Sequence, residues 1–317
     1  MKSIVIAGGT GFLGQRLAAH LQHAGYDITL LTRRRQAVPA GMKQLDWDGR
    51  SLGPWATALN GATAVINLAG RSVNCRYNAR NRDLILNSRI ESTRVIGQAI
   101  AQCTKPPGVW LNASTATIYR HTFGPPWGED GPIGADPAAK DAFSIEVAVA
   151  WEAALFNSVT PATRKVALRT AMVLGCDINS VLPMLRKLSR MCLGGSLAGG
   201  RQYVSWIHET DFCRAVEWLI HDANFSGPVN VAAPHPVTNA ELMQTVRTVC
   251  GRRFGLPTPR LMLEVGAVFL RTETELVIKS RRVIPQKLLA AGFEFRFPQL
   301  HGAVEDINRQ LAGSEGH

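Results

Sequence analysis

The chain has 317 residues, 46% of them hydrophobic, and a formal net charge of +11. That length holds one large α/β domain or two unequal lobes with a sizeable core, and no run approaches a membrane span, so no membrane partner is expected. The N-terminus enters a strand at once, which argues against a signal peptide, and the six scattered cysteines, with no C-x-x-C spacing, argue for a reducing cytoplasm and against a bound metal or a disulfide frame.

In chain order, a strand is predicted at roughly 3–8, a helix at 12–24 and a second strand at 27–32. A short strand follows near Met42 to Asp46, and the apolar run Ala62 to Leu68 makes the next one. Then come a long helix at roughly 79–103, a strand from Val109 to Ala113, a helix from about Ala142 to Phe156 and a strand from Lys165 to Leu168. This alternation predicts a parallel sheet covered on both faces, with ligands at the carboxyl ends of the strands. Asn67–Gly70, Ser114–Tyr119 and Arg169–Val173 fall at such ends.

After Gly175 the rhythm changes. Val181 to Met191 reads as helical, and the pairs Gly194-Gly195 and Gly199-Gly200 follow. Trp206-Ile207-His208 leads into a helix from Glu209, and Gly227 to Ala232 reads as a turn into a strand. Thr238 to Cys250 is a helix whose Thr238 and Glu241 have capping-box spacing. From about 256 onward the chain is mixed and Pro-punctuated. The expected organisation is a Rossmann-type doubly wound domain over 1–175, with core elements returning from 205–235. A smaller substrate lobe takes 176–317 and includes a distinct C-terminal unit from about 250.

The most informative segment is Gly8-Gly9-Thr10-Gly11-Phe12-Leu13-Gly14, set between the first strand and the first helix. Glycines at 8, 11 and 14 let the backbone turn tightly and approach a pyrophosphate, and the helix N-terminus offers free N–H groups and a positive dipole end. At the end of the second strand an NAD site would carry an Asp or Glu for the ribose 2′-hydroxyl. Here Thr32 is followed by Arg33, Arg34 and Arg35. Guanidinium groups match phosphate, so NADP(H) is the cofactor expected, with Arg33 and Arg34 near its 2′-phosphate. The remaining basic residues are spread out, with no aromatic-basic interleaving, so no nucleic-acid partner is expected. A small, anionic substrate accounts for the charge more simply.

The motifs resemble the extended short-chain dehydrogenase/reductase superfamily. They are the glycine loop, Asn67-Leu68-Ala69-Gly70, Ala113 to Tyr119, Arg169 to Gly175 and Trp206 to Asp211. Asn87-Ser88-Arg89, Trp151 to Ala154, Pro236 to Asn239 and Arg282 to Lys287 narrow the resemblance to an atypical branch. That branch is called sugar-nucleotide epimerase-like or cell-division-inhibitor (SulA)-like, and it ends in a short domain of unknown function. The resemblance implies cofactor contacts from Gly8, Gly11, Phe12, Leu13 and Gly14. It also implies that Thr32 and Arg33 meet the adenosine end, Leu68, Ala69 and Gly70 line the ribose and pyrophosphate, Arg89 reaches a phosphate, and Val173 sits near the nicotinamide.

A working member of the superfamily resembles a Ser/Thr–Tyr–Lys site, in which the Lys four residues after the Tyr lowers the phenol's pKa. Glu152 matches the Glu that follows such a pair, which puts Ala148 at the Lys position and Ser144 at the Tyr position. The dyad is absent. Thr115 is left as the hydroxyl for a substrate oxygen, or as a turn residue bonding its own backbone. Tyr119 offers a phenol, or packs as a wall of the cofactor site, the reading its residue type favours. His208 titrates in a useful range and stands in for the tyrosine, or, as its motif favours, only shapes the pocket. Arg120 with His121 is a further candidate for binding an acidic substrate, or simply fills a pocket, and Arg201 with Gln202 resembles a loop that contributes to the substrate pocket in the branch. Two functions remain open: an NADP-dependent oxidoreductase or epimerase with a degenerate active site, acting as monomer or homodimer, and a non-catalytic NADP(H)-bound sensor or scaffold, linked to cell division through the branch name.

Overall fold

The computed structural model describes residues 2–178, 180–259 and 278–314. Its centre is a seven-stranded parallel sheet. In chain order the strands are β1 (Ser3–Ala7), β2 (Asp27–Thr32), β3 (Lys43–Asp46), β4 (Ala64–Asn67), β5 (Val109–Thr115), β6 (Arg164–Thr170) and, later in the chain, β10 (Gly227–Val231). The spatial order is β10-β6-β5-β4-β1-β2-β3. The chain therefore winds one way from β1 through β3, returns to place β4 on the other side of β1, and winds outward again. The crevice at the carboxyl ends of β1 and β4 is the switch point where such sheets take ligands.

Alternation within strands explains the two covered faces. Ile4 and Ile6 pack on one face with Leu17 and Leu21 of α1 (Phe12–His23) and with Val216 and Leu219 of α5 (Glu209–His221). Val5 and Ala7 pack on the other with Val95 and Ile96 of α2 (Ala79–Ala101) and Leu155 of α3 (Ala142–Phe156). Every residue of β4 is buried, as expected for a central parallel strand. The fold is a Rossmann-type α/β fold.

β5 and β6 run longer than their apolar cores suggest. They pair residue for residue from Val109↔Arg164 to Thr115↔Thr170, so ladder hydrogen bonds set their ends. Two arginines sit inside β6 because each finds acceptors. Arg164 donates to the carbonyls of Leu219, Ile220 and Phe225, and Arg169 pairs with a carboxylate described below.

The smaller lobe contains β7 (Met172–Leu174) paired in parallel with β9 (Trp206–His208), and β8 (Tyr203–Val204) antiparallel to β11 (Val237–Thr238). Its core joins α4 (Val181–Arg190), α6 (Asn239–Val249) and α8 (Leu300–Ser314) through Leu182, Leu185, Leu242, Met243, Val304 and Ile307. Thr238 caps α6 reciprocally with Glu241. A short helix, α7 (Gln286–Ala290), precedes α8. Of the mixed stretch from about 256, residues 260–277 lie outside the described residues. All six cysteines are free, and no helix among the described residues is long and apolar enough to cross a membrane.

Candidate functional site

The crevice is built around the loop after β1. Gly8 has φ +76°, and a Cβ there would lie 2.9 Å from the backbone nitrogen of Ala69, so the ends of β1 and β4 touch at this point. A Cβ at Gly14 would lie 2.5 Å from the Gly8 carbonyl oxygen and 2.6 Å from Gly9 Cα. Both positions exclude any larger residue and press α1 against the loop. Gly11, by contrast, is exposed and stands at the N-cap of α1. No side chain caps this helix, and no acidic residue lies in its first turn. Its free N–H groups and positive end therefore face the crevice uncompensated, as an anion site requires. Phe12 packs its ring against Gly175, and Leu13 and Val173 pack at the edge of the sheet core.

The three arginines after β2 divide. Arg35 donates two hydrogen bonds to Asp46, at 3.2 and 3.3 Å. Arg33 and Arg34 are exposed, and neither guanidinium has an acidic partner among the described residues. Thr32 is buried and organises the turn, accepting from Arg34 N and donating to Arg34 O.

At the end of β4, Asn67 and Asn112 form a buried amide pair, with Asn67 Nδ2 2.8 Å from Asn112 Oδ1. Asn67 Oδ1 accepts from Ala69 N, which fixes the turn through Leu68, Ala69 and Gly70. Arg89, on α2, brings its guanidinium to the position a Gly70 Cβ would touch, stacks 5.0 Å over the Trp151 ring and, among the described residues, donates only to the carbonyls of Arg71 and Ile85. Burial pushes its pKa down to about 10, and no carboxylate among the described residues opposes this. A charge kept there without a counter-ion fits a ligand phosphate. The uncapped helix, the glycine cradle and these three arginines all fit an anionic dinucleotide.

The other side of the crevice is different. Thr115 is half-buried at the end of β5, beside Thr170. Its oxygen accepts from Thr117 N at 3.1 Å, while its own hydrogen has no acceptor among the described residues. It satisfies the turn-residue reading and still has a donor to offer.

Tyr119 corrects an expectation. Its side chain is buried, its hydroxyl donates to Asn230 Oδ1 at 2.7 Å, and it accepts from Arg169 at 2.8 Å. Burial raises its pKa to about 12, against the pull of Arg169. The hydrogen-bonding positions of a phenol so enclosed are taken by Asn230 and Arg169. Beneath it, Arg169 forms a two-pronged ion pair with Glu152, which also accepts from Ser114. Burial opposes the charge of Arg169, and Glu152 overrides it, holding the guanidinium above its usual range. Glu152 thus serves an internal pair. Ala148, expected to stand where the resemblance places a lysine, is fully buried against Tyr119, Ile118 and Val283 and surrounded by apolar atoms.

His208 is corrected in the same way. It is fully buried at the N-cap of α5, where Nδ1 accepts from Thr210 N, and it stacks on Phe297. Nε2 lies 3.4 Å from Asp306 without a well-formed hydrogen bond. Burial outweighs the nearby Asp306 and Asp211 and lowers its pKa to about 4. The imidazole is a neutral cap, not a base at the crevice.

Sequence reasoning missed what holds this side together. Residues 279–287 run as a strap between the 117–129 loop and β8–β9. Ser280 binds His121, Thr122 and Tyr203; Ser205 holds Val283; and Trp127 exchanges backbone bonds with Arg282 and Ile284. Lys279 is buried against Asp141 and donates to the Thr117 carbonyl at 2.6 Å. Glu129, its carboxyl pushed up by burial, accepts from the backbone of Asn230 and Lys287. The one available signal was Glu152, which with Glu146 is one of two charged residues on a largely apolar helix; a carboxylate that such a helix buries demands a cation. Arg120 and Arg201 remain exposed, whereas Gln202 is buried with its amide on the Leu197 carbonyl.

Comparison with known proteins agrees with this architecture. The NAD dependent epimerase/dehydratase family matches residues 4–232, and a domain of unknown function, DUF1731, matches residues 258–307. The chain is 31% identical over 307 residues to the human epimerase family protein SDR39U1, covering 96% of this chain and 99% of that one. It is 29% identical over 306 residues to the epimerase family protein YfhF of Bacillus subtilis (strain 168), covering 96% and 97%. The crystal structure of human SDR39U1 (isoform 2) with NADPH superposes with a TM-score of 0.85 at 30% identity, over 98% of this chain and 100% of that one.

Proposed function

The chain belongs to the NAD dependent epimerase/dehydratase family, and from that premise we propose that it binds NADP(H) and acts as an oxidoreductase or epimerase on a small anionic substrate. The observation that carries the cofactor choice is the division of the arginines: Arg35 is neutralised by Asp46, whereas Arg33 and Arg34 are left without a carboxylate at the end of β2. The NADPH in the similar human structure supports it.

In this reading Gly8, Gly11, Phe12, Leu13 and Gly14 hold the pyrophosphate on the N-terminus of α1. Thr32, Arg33 and Arg34 hold the 2′-phosphate end. Leu68, Ala69 and Gly70 line the ribose, Arg89 neutralises a phosphate, and Val173 backs the nicotinamide. When bound, the nicotinamide supplies hydride transfer. Thr115 orients the substrate oxygen with its free hydrogen, and exposed Arg120 and Arg201 attract the substrate's negative charge. With Tyr119 and His208 enclosed, no side chain of the expected set is left as a general base, so the proton passes through Thr115 and solvent. We assign cofactor binding to residues 1–175 with β10, and the substrate side to the rest of 176–317, its C-terminal unit beginning at about 250. The free thiols support a reducing, cytoplasmic setting.

The enclosure of Tyr119 and His208 favours a second reading, a sensor or scaffold that binds the cofactor without turnover. Titration with NADPH and NADH, followed by single-turnover oxidation of bound NADPH by carbonyl compounds and nucleotide-sugars, separates the two. Substrate-dependent oxidation is expected for the enzyme. Tight binding with no oxidation favours the sensor. Replacing Arg33 and Arg34 by Ala is expected to weaken NADPH by about 30-fold, roughly 2 kcal/mol, and NADH far less. Equal losses would remove the 2′-phosphate assignment.

A further inference from the structure

The smaller lobe carries an exposed patch that the cofactor site does not use. α4 exposes Met184, Lys187 and Arg190 at helical spacing, and the chain continues into Met191 and Leu193. A second loop exposes Arg252, Arg253, Phe254 and Leu256. Hydrogen bonds hold the two segments side by side: Leu256 N donates to Cys192 O at 2.8 Å, and Gly195 N donates to Leu256 O at 3.1 Å. Phe254 is 60% exposed and Met191 57%, high values for apolar side chains on adjoining segments.

The charge that these two segments themselves carry is of one sign. No Asp or Glu occurs between Asp177 and Glu209, or between Glu241 and Glu264. Among the described residues of the two segments, the apolar side chains are rimmed by Lys187, Arg252 and Arg253, with no acid supplied by either segment. Such a rim repels a second copy of the same face. Phe254, set between two arginines and Gly255, projects from a loop and is not recessed in a groove, so a helical peptide finds no walls here. A projecting aromatic ring beside methionine and leucine, ringed by cations, matches the interface of a bilayer with anionic headgroups.

We propose that this face attaches the protein peripherally to an anionic lipid surface, with Phe254, Leu256 and Met191 entering the headgroup boundary and Lys187, Arg252 and Arg253 meeting lipid phosphates. The expectation of no membrane partner rested on the lack of a spanning run, and a peripheral face is a different device.

The test is co-sedimentation of the full chain with vesicles of phosphatidylcholine, with and without phosphatidylglycerol, at low and moderate salt. Binding is expected only with phosphatidylglycerol, weakening as salt rises. Phe254→Ser, and separately Arg252→Gln with Arg253→Gln, are each expected to weaken it by about tenfold or more. Neither change should alter NADPH affinity or Tm. No sedimentation with phosphatidylglycerol vesicles overturns the proposal and leaves an acidic protein as the partner to seek. Equal binding to both vesicle types overturns the electrostatic half. A fall of several degrees in Tm on Phe254→Ser also overturns it, because it would mean that the patch is covered within the protein.

Discussion

The two sides of the crevice use the same residue types to opposite ends. On the cofactor side, Arg33, Arg34 and Arg89 face the opening without carboxylates, and α1 begins without a cap. On the substrate side, Arg169 has Glu152, Lys279 has Asp141, Tyr119 has Asn230, and His208 has Thr210. Unmet donors cost stability unless a ligand meets them, and mutually satisfied donors build structure and do little else. An arginine is therefore read by its partners, not by its position in a motif. The strap at 279–287 adds to the difference, because it contributes Lys279 to Asp141 and the Ile284 carbonyl to the Asn230 amide.

The sharpest way to break this contrast is to remove one partner of the most enclosed pair. Arg169→Met leaves Glu152 buried without its cation and should cost about 3–5 kcal/mol in urea denaturation. If it costs less than about 1 kcal/mol, the saturated side is not structural.

A second test uses pH. Burial depresses the folded-state pKa of His208 to about 4, from an ordinary value of 6.5. Its stabilising effect is therefore present above pH 6.5 and is lost as pH falls toward 4, by about 3 kcal/mol in all. His208→Asn keeps a capping acceptor but cannot titrate, so its stability should be flatter across that window. Parallel curves for the two proteins would mean that His208 does not titrate as a buried cap.

A third probes the unmet side. Arg89→Met should raise the NADPH dissociation constant by about tenfold, roughly 1.4 kcal/mol, while leaving the denaturation midpoint equal or higher. Lost stability with unchanged binding would move Arg89 to the structural class. The smallest effect belongs to Tyr119→Phe, which deletes one internal hydroxyl. It should cost about 1 kcal/mol of stability and leave NADPH affinity and any turnover intact. A large loss of turnover would restore a chemical role to the phenol.

Much of this was legible beforehand, and for local reasons. The glycine spacing, the strand–loop–helix order and the Thr238–Glu241 box are set by residues within a few positions of one another, where backbone sterics and helix ends decide. That Ala148 and Ser144 stand four and eight residues before Glu152 is equally local, since it needs only a count along the helix.

A structural role was the favoured reading of Tyr119 and His208, but the partners that enclose them were not legible. Each depends on groups far along the chain, Asn230 and Arg169 for the phenol, Phe297 and Asp306 for the imidazole. Likewise nothing in Arg33-Arg34-Arg35 says which one Asp46 takes. Sequence by itself determined most of the element types and the loop that turns toward a dinucleotide, because propensity and spacing act over short range. Only the tertiary structure decided which polar groups stay open and which are consumed. Burial and pairing depend on what the fold brings together, and desolvation then converts that neighbourhood into charge state and role.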